Sequence, residues 1–236
     1  MSDERIFTTD HFRAAGKARG KHGDDYYREN LVGTLGRPPL ERVDDAVQFL
    51  RGWGGLRTGR AGLTNARATE IIRAFVESRQ QDIDELWRIP LHDLKPDHFT
   101  MVRSMYNELG RRQPEDAMVF PETGRGKLLH FLLPRTVLLW DGVMVRAPLL
   151  LPIREATSED FERYQRFGWR LASHLISTEG LAAVESVVKD HEPFTDCQEP
   201  LPKLIDELFY DRQGNRERAI LQLGGLDSAL SLDPPP

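Results

Sequence analysis

The residues best able to do chemistry cluster near the middle of the chain. Thr123-Gly124-Arg125-Gly126-Lys127-Leu128-Leu129-His130 runs into Phe131-Leu132-Leu133-Pro134, and Trp140-Asp141 follows shortly after. Glycines at the start of a helix leave backbone N–H groups accessible. The helix dipole and a lysine there add positive potential. This pattern predicts an anion site, phosphate above all, with Gly124, Arg125, Gly126 and Lys127 as its contacts. The competing reading is a glycine-rich start to a buried helix, with Arg125 and Lys127 solvated. Asp141 is the candidate catalytic carboxylate, and it reads equally as an ordinary helix N-cap. His130 lies among leucines and reads as a hydrogen-bonded core histidine before it reads as a base. Trp140 reads as core.

A second cationic stretch spans Arg51 to Gly62, with Trp53 and Leu56 as its apolar anchors. Arg57 and Arg60, with Arg67 just beyond, are candidate auxiliary anion contacts. A nucleotide-binding P-loop is excluded by residue type. Counting back from Gly126-Lys127 puts Pro121 where the first glycine belongs, and Leu128 stands where the Mg²⁺-binding hydroxyl belongs. No two of the seven histidines are four residues apart, and Cys197 is the sole cysteine. No hydrolase elbow of the G-x-S-x-G kind is present. Neither a metal site nor a cofactor site is therefore expected. Asp206 and Glu207, with Asp211 beyond, read as a solvated helix face.

Two resemblances attach to these segments. Gly124-Arg125-Gly126 opening an apolar helix, with an aspartate after a short hydrophobic stretch, resembles the helix-hairpin-helix DNA glycosylases. That likeness implies a hairpin gripping a DNA phosphate through Gly124 and Gly126, and Asp141 as the carboxylate supporting base excision. The middle hairpin residue of that family is usually apolar, and here it is Arg125. The same line also resembles a group of bacterial all-helical proteins carrying G-x-x-K-L-L-H-F-L-x-P, then W-D, and later P-K-L-I-D-E. The last motif is Pro202 to Glu207 here. This likeness spans more of the chain and brings no activity with it.

The elements that must position these residues are helices. Leu40, Val43, Val47 and Leu50 share one face of a helix that ends at Gly52. Thr64 or Asn65 caps the next, whose face is Ala68, Ile71, Ile72, Phe75 and Val76. Asp82 opens a short helix with Ile83, Leu86 and Trp87. Pro96 and Asp97 start another, with Phe99, Val102, Met105, Tyr106 and Leu109 inside and Gly110 at the left-handed position after its end. The central apolar helix runs from Gly124 to Leu133. Ser158 starts a long helix, and Gly180 separates it from one carrying Leu181, Val184, Val187 and Val188. Pro202 introduces Leu204, Ile205, Leu208 and Phe209, and Arg218 to Leu223 is the last periodic stretch. No strand alternation and no repeat stand out. The class is all-α, a compact irregular domain of eight or nine helices over residues 24–226. A lobe boundary, if any, falls at 113–123. Residues 1–23 read as a flexible arm, and 227–236 as a disordered tail.

The chain has 236 residues, and its net charge of −5 is unevenly placed. Residues 181–236 hold 11 Asp+Glu against 5 Lys+Arg, so the remainder is close to neutral. A locally cationic face is therefore compatible with the overall acidity. The absence of a leader-like start, of a long apolar run and of paired cysteines predicts a cytoplasmic protein with no membrane contact. The expected function is a helical nucleic-acid-binding protein, repair-like, with DNA as partner. The alternative is a non-enzymatic interaction or regulatory module whose acidic final quarter meets a basic protein.

Overall fold

Apolar residues spaced three and four apart build α-helices, and the chain uses them almost throughout. The computed structural model describes residues 7–18, 27, 29–52, 56, 64–111, 120–141, 145, 157–190, 201–209, 215–225 and 228. Among them are ten α-helices and no strand. They are α1 (Thr9–Ala18), α2 (Val43–Gly52), α3 (Asn65–Ser78), α4 (Gln80–Leu86) and α5 (Pro96–Leu109). Then come α6 (Glu122–Leu132), α7 (Ser158–Glu179), α8 (Leu181–Asp190), α9 (Leu201–Leu208) and α10 (Asn215–Gln222). Three 3-10 turns, η1 (Val32–Thr34), η2 (Pro39–Arg42) and η3 (Leu91–Asp93), lie between helices. The all-α class is as the spacing predicts. The tail from 229 and the connector 146–156 lie outside the described residues.

Local chemistry sets the helix ends. Thr64 caps α3 by accepting the Arg67 amide at 3.2 Å. Thr157 and Asp160 form a reciprocal capping box at the start of α7. Gly180 takes φ 87°, a value open to glycine, and this single residue turns the chain from α7 into α8. α4 begins at Gln80, two residues before the expected Asp82, because only Arg79 interrupts the helical backbone. Arg79 then ties that junction to α5 by donating to Glu108, Asp82 and Ser104.

The 22-residue α7 is the axis of the core. Its closest partner is α5, and it also packs on α8, α9 and η3. α6 lies between α2 and α5. One continuous apolar cluster joins these elements, from Phe7 to Ala219.

The N-terminal segment departs from expectation. Rather than a mobile arm, residues 9–18 form α1, which packs on α8, α9 and α10. Phe7 is buried in the core, and Thr9 donates from both its amide and its hydroxyl to Glu179, at 2.8 and 2.7 Å. The anchors of this docked helix, Phe7 and Thr9, stand at its very start.

Arg42 holds the other end of the fold together. It is fully buried, and its guanidinium donates to the carbonyls of Phe131 and Leu132 at 3.0 and 2.8 Å. These are the last turn of α6, where carbonyls lack intrahelical partners and a cation is favoured. Burial lowers the Arg42 pKa to about 10, so the group stays charged at neutral pH. Arg42→Met keeps most of the volume and leaves the two carbonyls unmatched. It should cost about 3 kcal/mol in urea unfolding.

Candidate functional site

The central motif lies inside the protein. α6 begins at Glu122, directly after Pro121, so it starts two residues before the expected Gly124. The Arg125 amide already donates to the Pro121 carbonyl at 3.0 Å. Gly124 therefore closes the first turn, and Gly126 sits within the helix rather than at its mouth. Glu122 itself supplies negative charge at the positive end of the helix, and its carboxylate accepts the Trp140 indole N–H at 3.2 Å.

Close packing explains the glycines. A Cβ on Gly126 would stand 2.3 Å from the Trp140 Cβ. Trp140 is fully buried and meets Phe161 and Tyr164 edge-on. Gly126 is thus the point where α6 touches the segment that follows it. Arg125 is also turned inward. Its Nε donates to the Phe120 carbonyl at 2.7 Å, and its guanidinium lies 5.5 Å from the Tyr106 ring centre. A Cβ on Gly110 would meet that guanidinium at 2.6 Å. Gly110 has φ −86°, so no left-handed turn requires glycine here, and a side chain at this position would have to displace the Arg125 guanidinium. Lys127 is 8% exposed.

The other predicted contacts fall elsewhere. Asp141 is half-buried, and its carbonyl accepts the Val145 amide at 2.9 Å, one helical turn on. Arg67 pairs with Glu70 on α3. Arg57 and Arg60 lie outside the described residues, as does Trp53, while Leu56 is buried as expected.

Between α6 and Trp140 the backbone is irregular and almost wholly buried. Buried peptide groups require partners, and here the neighbouring elements supply them. The Arg135 carbonyl accepts the Leu91 amide at 2.8 Å. Gln165 accepts the Leu138 amide at 2.7 Å, and Tyr164 donates to the Leu139 carbonyl at 3.1 Å. His130 serves Val137, with Nδ1 2.6 Å from the carbonyl oxygen. A carbonyl carries no proton, so Nδ1 bears the hydrogen and Nε2 is left as acceptor. Tyr27 donates its hydroxyl to that Nε2 at 2.7 Å. Burial, with Lys203 adding to it, lowers the His130 pKa to about 3, and the Val137 bond offsets this only in part. The ring is neutral.

Tyr27 links this motif to the later one. Lys203 on α9 lies 5.5 Å from the Tyr27 ring centre. Its ammonium is 2.8 Å from Glu207 and 3.5 Å from Asp206, and all three side chains are fully buried. The solvated face expected for Asp206 and Glu207 is thus an internal ion cluster. Charges at i, i+3 and i+4 ordinarily mark an exposed face. Here α1 packs along α9 and Tyr27 covers Lys203. The spacing of Lys203, Asp206 and Glu207 marked their pairing, since each charge has an opposite one within reach on the same helix, but not their burial, and nothing in the sequence marked Tyr27 as the cover.

Among the described residues, no group of His, Cys, Asp and Glu is arranged to hold a metal, and no helix is long and apolar enough to cross a membrane. Compared with protein families, curated proteins and solved structures, the chain matches none.

Two outcomes follow from this geometry. Gly126→Ala should destabilise by about 1–3 kcal/mol, because Trp140 has little room to withdraw. Thermal or urea unfolding reads this directly. His130 has a folded pKa below its unfolded value of 6.5, so its contribution is whole above about pH 6.5 and fades as pH falls toward 3. Between pH 7 and 5 this residue should cost the native state about 2 kcal/mol. In His130→Gln, weaker at pH 7, the further loss on going to pH 5 should be smaller by that amount.

Proposed function

We propose that the protein is a non-enzymatic helical interaction module of a regulatory kind, which acts through its surface. One observation carries this reading. The side chains of the two motifs that have chemistry to offer are matched to one another inside the core. His130 uses both ring nitrogens on Tyr27 and Val137, and Lys203 faces its own carboxylates. Arg125 is likewise engaged with Phe120 and Tyr106.

The acidic final quarter supports a basic protein partner. Two of its acids, Asp206 and Glu207, are internal, and Asp190 pairs with Arg13. Glu185 on α8 is on the surface, and Glu217 on α10 is exposed beside Arg216, with which it pairs. Because α8, α9 and α10 all pack on α1, the quarter cannot be deleted without opening the core. Charge reversal is the suitable perturbation.

The chain should hold a stoichiometric protein partner at physiological salt, and Glu185→Lys with Glu217→Lys should release it. A short DNA duplex, titrated at low salt by fluorescence anisotropy, should show no saturable binding. Saturable duplex binding that weakens steeply with added salt would overturn this reading in favour of a nucleic-acid-binding protein.

A further inference from the structure

A cleft of about 550 Å³ opens between α8, η3 and the start of α9. That volume is within the ~300–1,000 Å³ typical of small-molecule sites. Its floor is apolar, formed by Leu91, Val184, Val188 and Pro202, all buried. Leu181 stands at its lip and is 42% exposed, although most large apolar side chains of the described residues are covered.

The polar wall has a sign. Arg88, Arg135 and Lys189 line it against Asp93 and Glu185, which leaves one cation in excess. An occupant that matches both features is apolar along most of its length and carries a single negative charge. A fully polar ligand would leave the floor unmatched. A cation would meet the wrong sign.

We propose that this cleft binds an amphiphilic monoanion, a carboxylate on an apolar chain. The carboxylate sits at the Arg88 and Lys189 side, and the chain lies over Val184 and Val188 toward Leu181. Glu185 lines this cleft and also belongs to the acidic surface offered to a protein partner, and dodecanoate binding by the chain alone tests the cleft apart from that partner.

Dodecanoate, kept below its micelle concentration, is the probe, with dodecanol as its uncharged counterpart. Isothermal titration of the full chain should give one saturable site for dodecanoate and about tenfold weaker binding of dodecanol. Arg88→Glu with Lys189→Glu should weaken dodecanoate by about tenfold or more and leave dodecanol unchanged. Leu181→Glu should weaken both ligands. Arg88, Lys189 and Leu181 are exposed, and an unchanged circular dichroism spectrum confirms that each variant is folded. The proposal is overturned if the wild type shows no saturable site, or if neither variant alters dodecanoate binding.

Discussion

A stretch of non-helical backbone passes through the interior between α6 and Trp140, and its peptide groups must be hydrogen bonded away from water. Much of the central architecture answers that demand. Gln165 and Tyr164 on α7 serve Leu138 and Leu139. His130 serves Val137, and Leu91 at η3 serves Arg135. Thr136 returns the arrangement by donating to the carbonyls of Leu86 and Ile89, where α4 ends. Four separate parts of the chain are thereby fixed to one short segment. Each of these bonds is modest in isolation, yet the cost of leaving any one unmade is larger. This asymmetry makes the segment a point of rigidity although it has no regular structure.

The central motif therefore has a different character from the one its residue types advertise. Glycine, arginine and lysine at a helix start are the ingredients of a phosphate cradle and also of tight helix packing. What separates the two outcomes is the group standing opposite. Opposite Gly126 stands Trp140, and opposite Arg125 stand Gly110 and Tyr106. The aromatic series continues from Tyr106 through Phe161, Trp140 and Tyr164 to Phe209, so α5, α7, the segment after α6 and the end of α9 share one set of ring contacts. Quadrupole-matched contacts of this kind add specificity to simple area burial.

The helices with an apolar stripe were legible in the sequence, because periodicity is local information. α2, α3, α5 and α7 carry their buried faces where the spacing puts them, and so does α8 through Val184, Val187 and Val188, with Leu181 left exposed. Buried charge was not legible. Arg42, Lys203, Asp206 and Glu207 look like ordinary surface residues until their long-range partners are known. Those partners, the carbonyls of α6 and the ring of Tyr27, are about 90 and 176 residues away in sequence. Gly110 was read from helix-ending habits, yet its backbone is right-handed and its near neighbour is a guanidinium fifteen residues further on. The N-terminal helix failed for the same reason, since its small residues signal mobility unless a distant surface accepts them.

That distant surface has a consequence for how the protein is made. Thr9 is latched to Glu179, and α1 rests on α8, α9 and α10. During synthesis the first helix leaves the ribosome long before any of its docking partners exists. It must wait, exposed, until Glu179 and the helices beyond it have followed. A contact spanning 170 residues closes a long loop and forms late. A translating ribosome thus holds this loop open until α8, α9 and α10 have emerged.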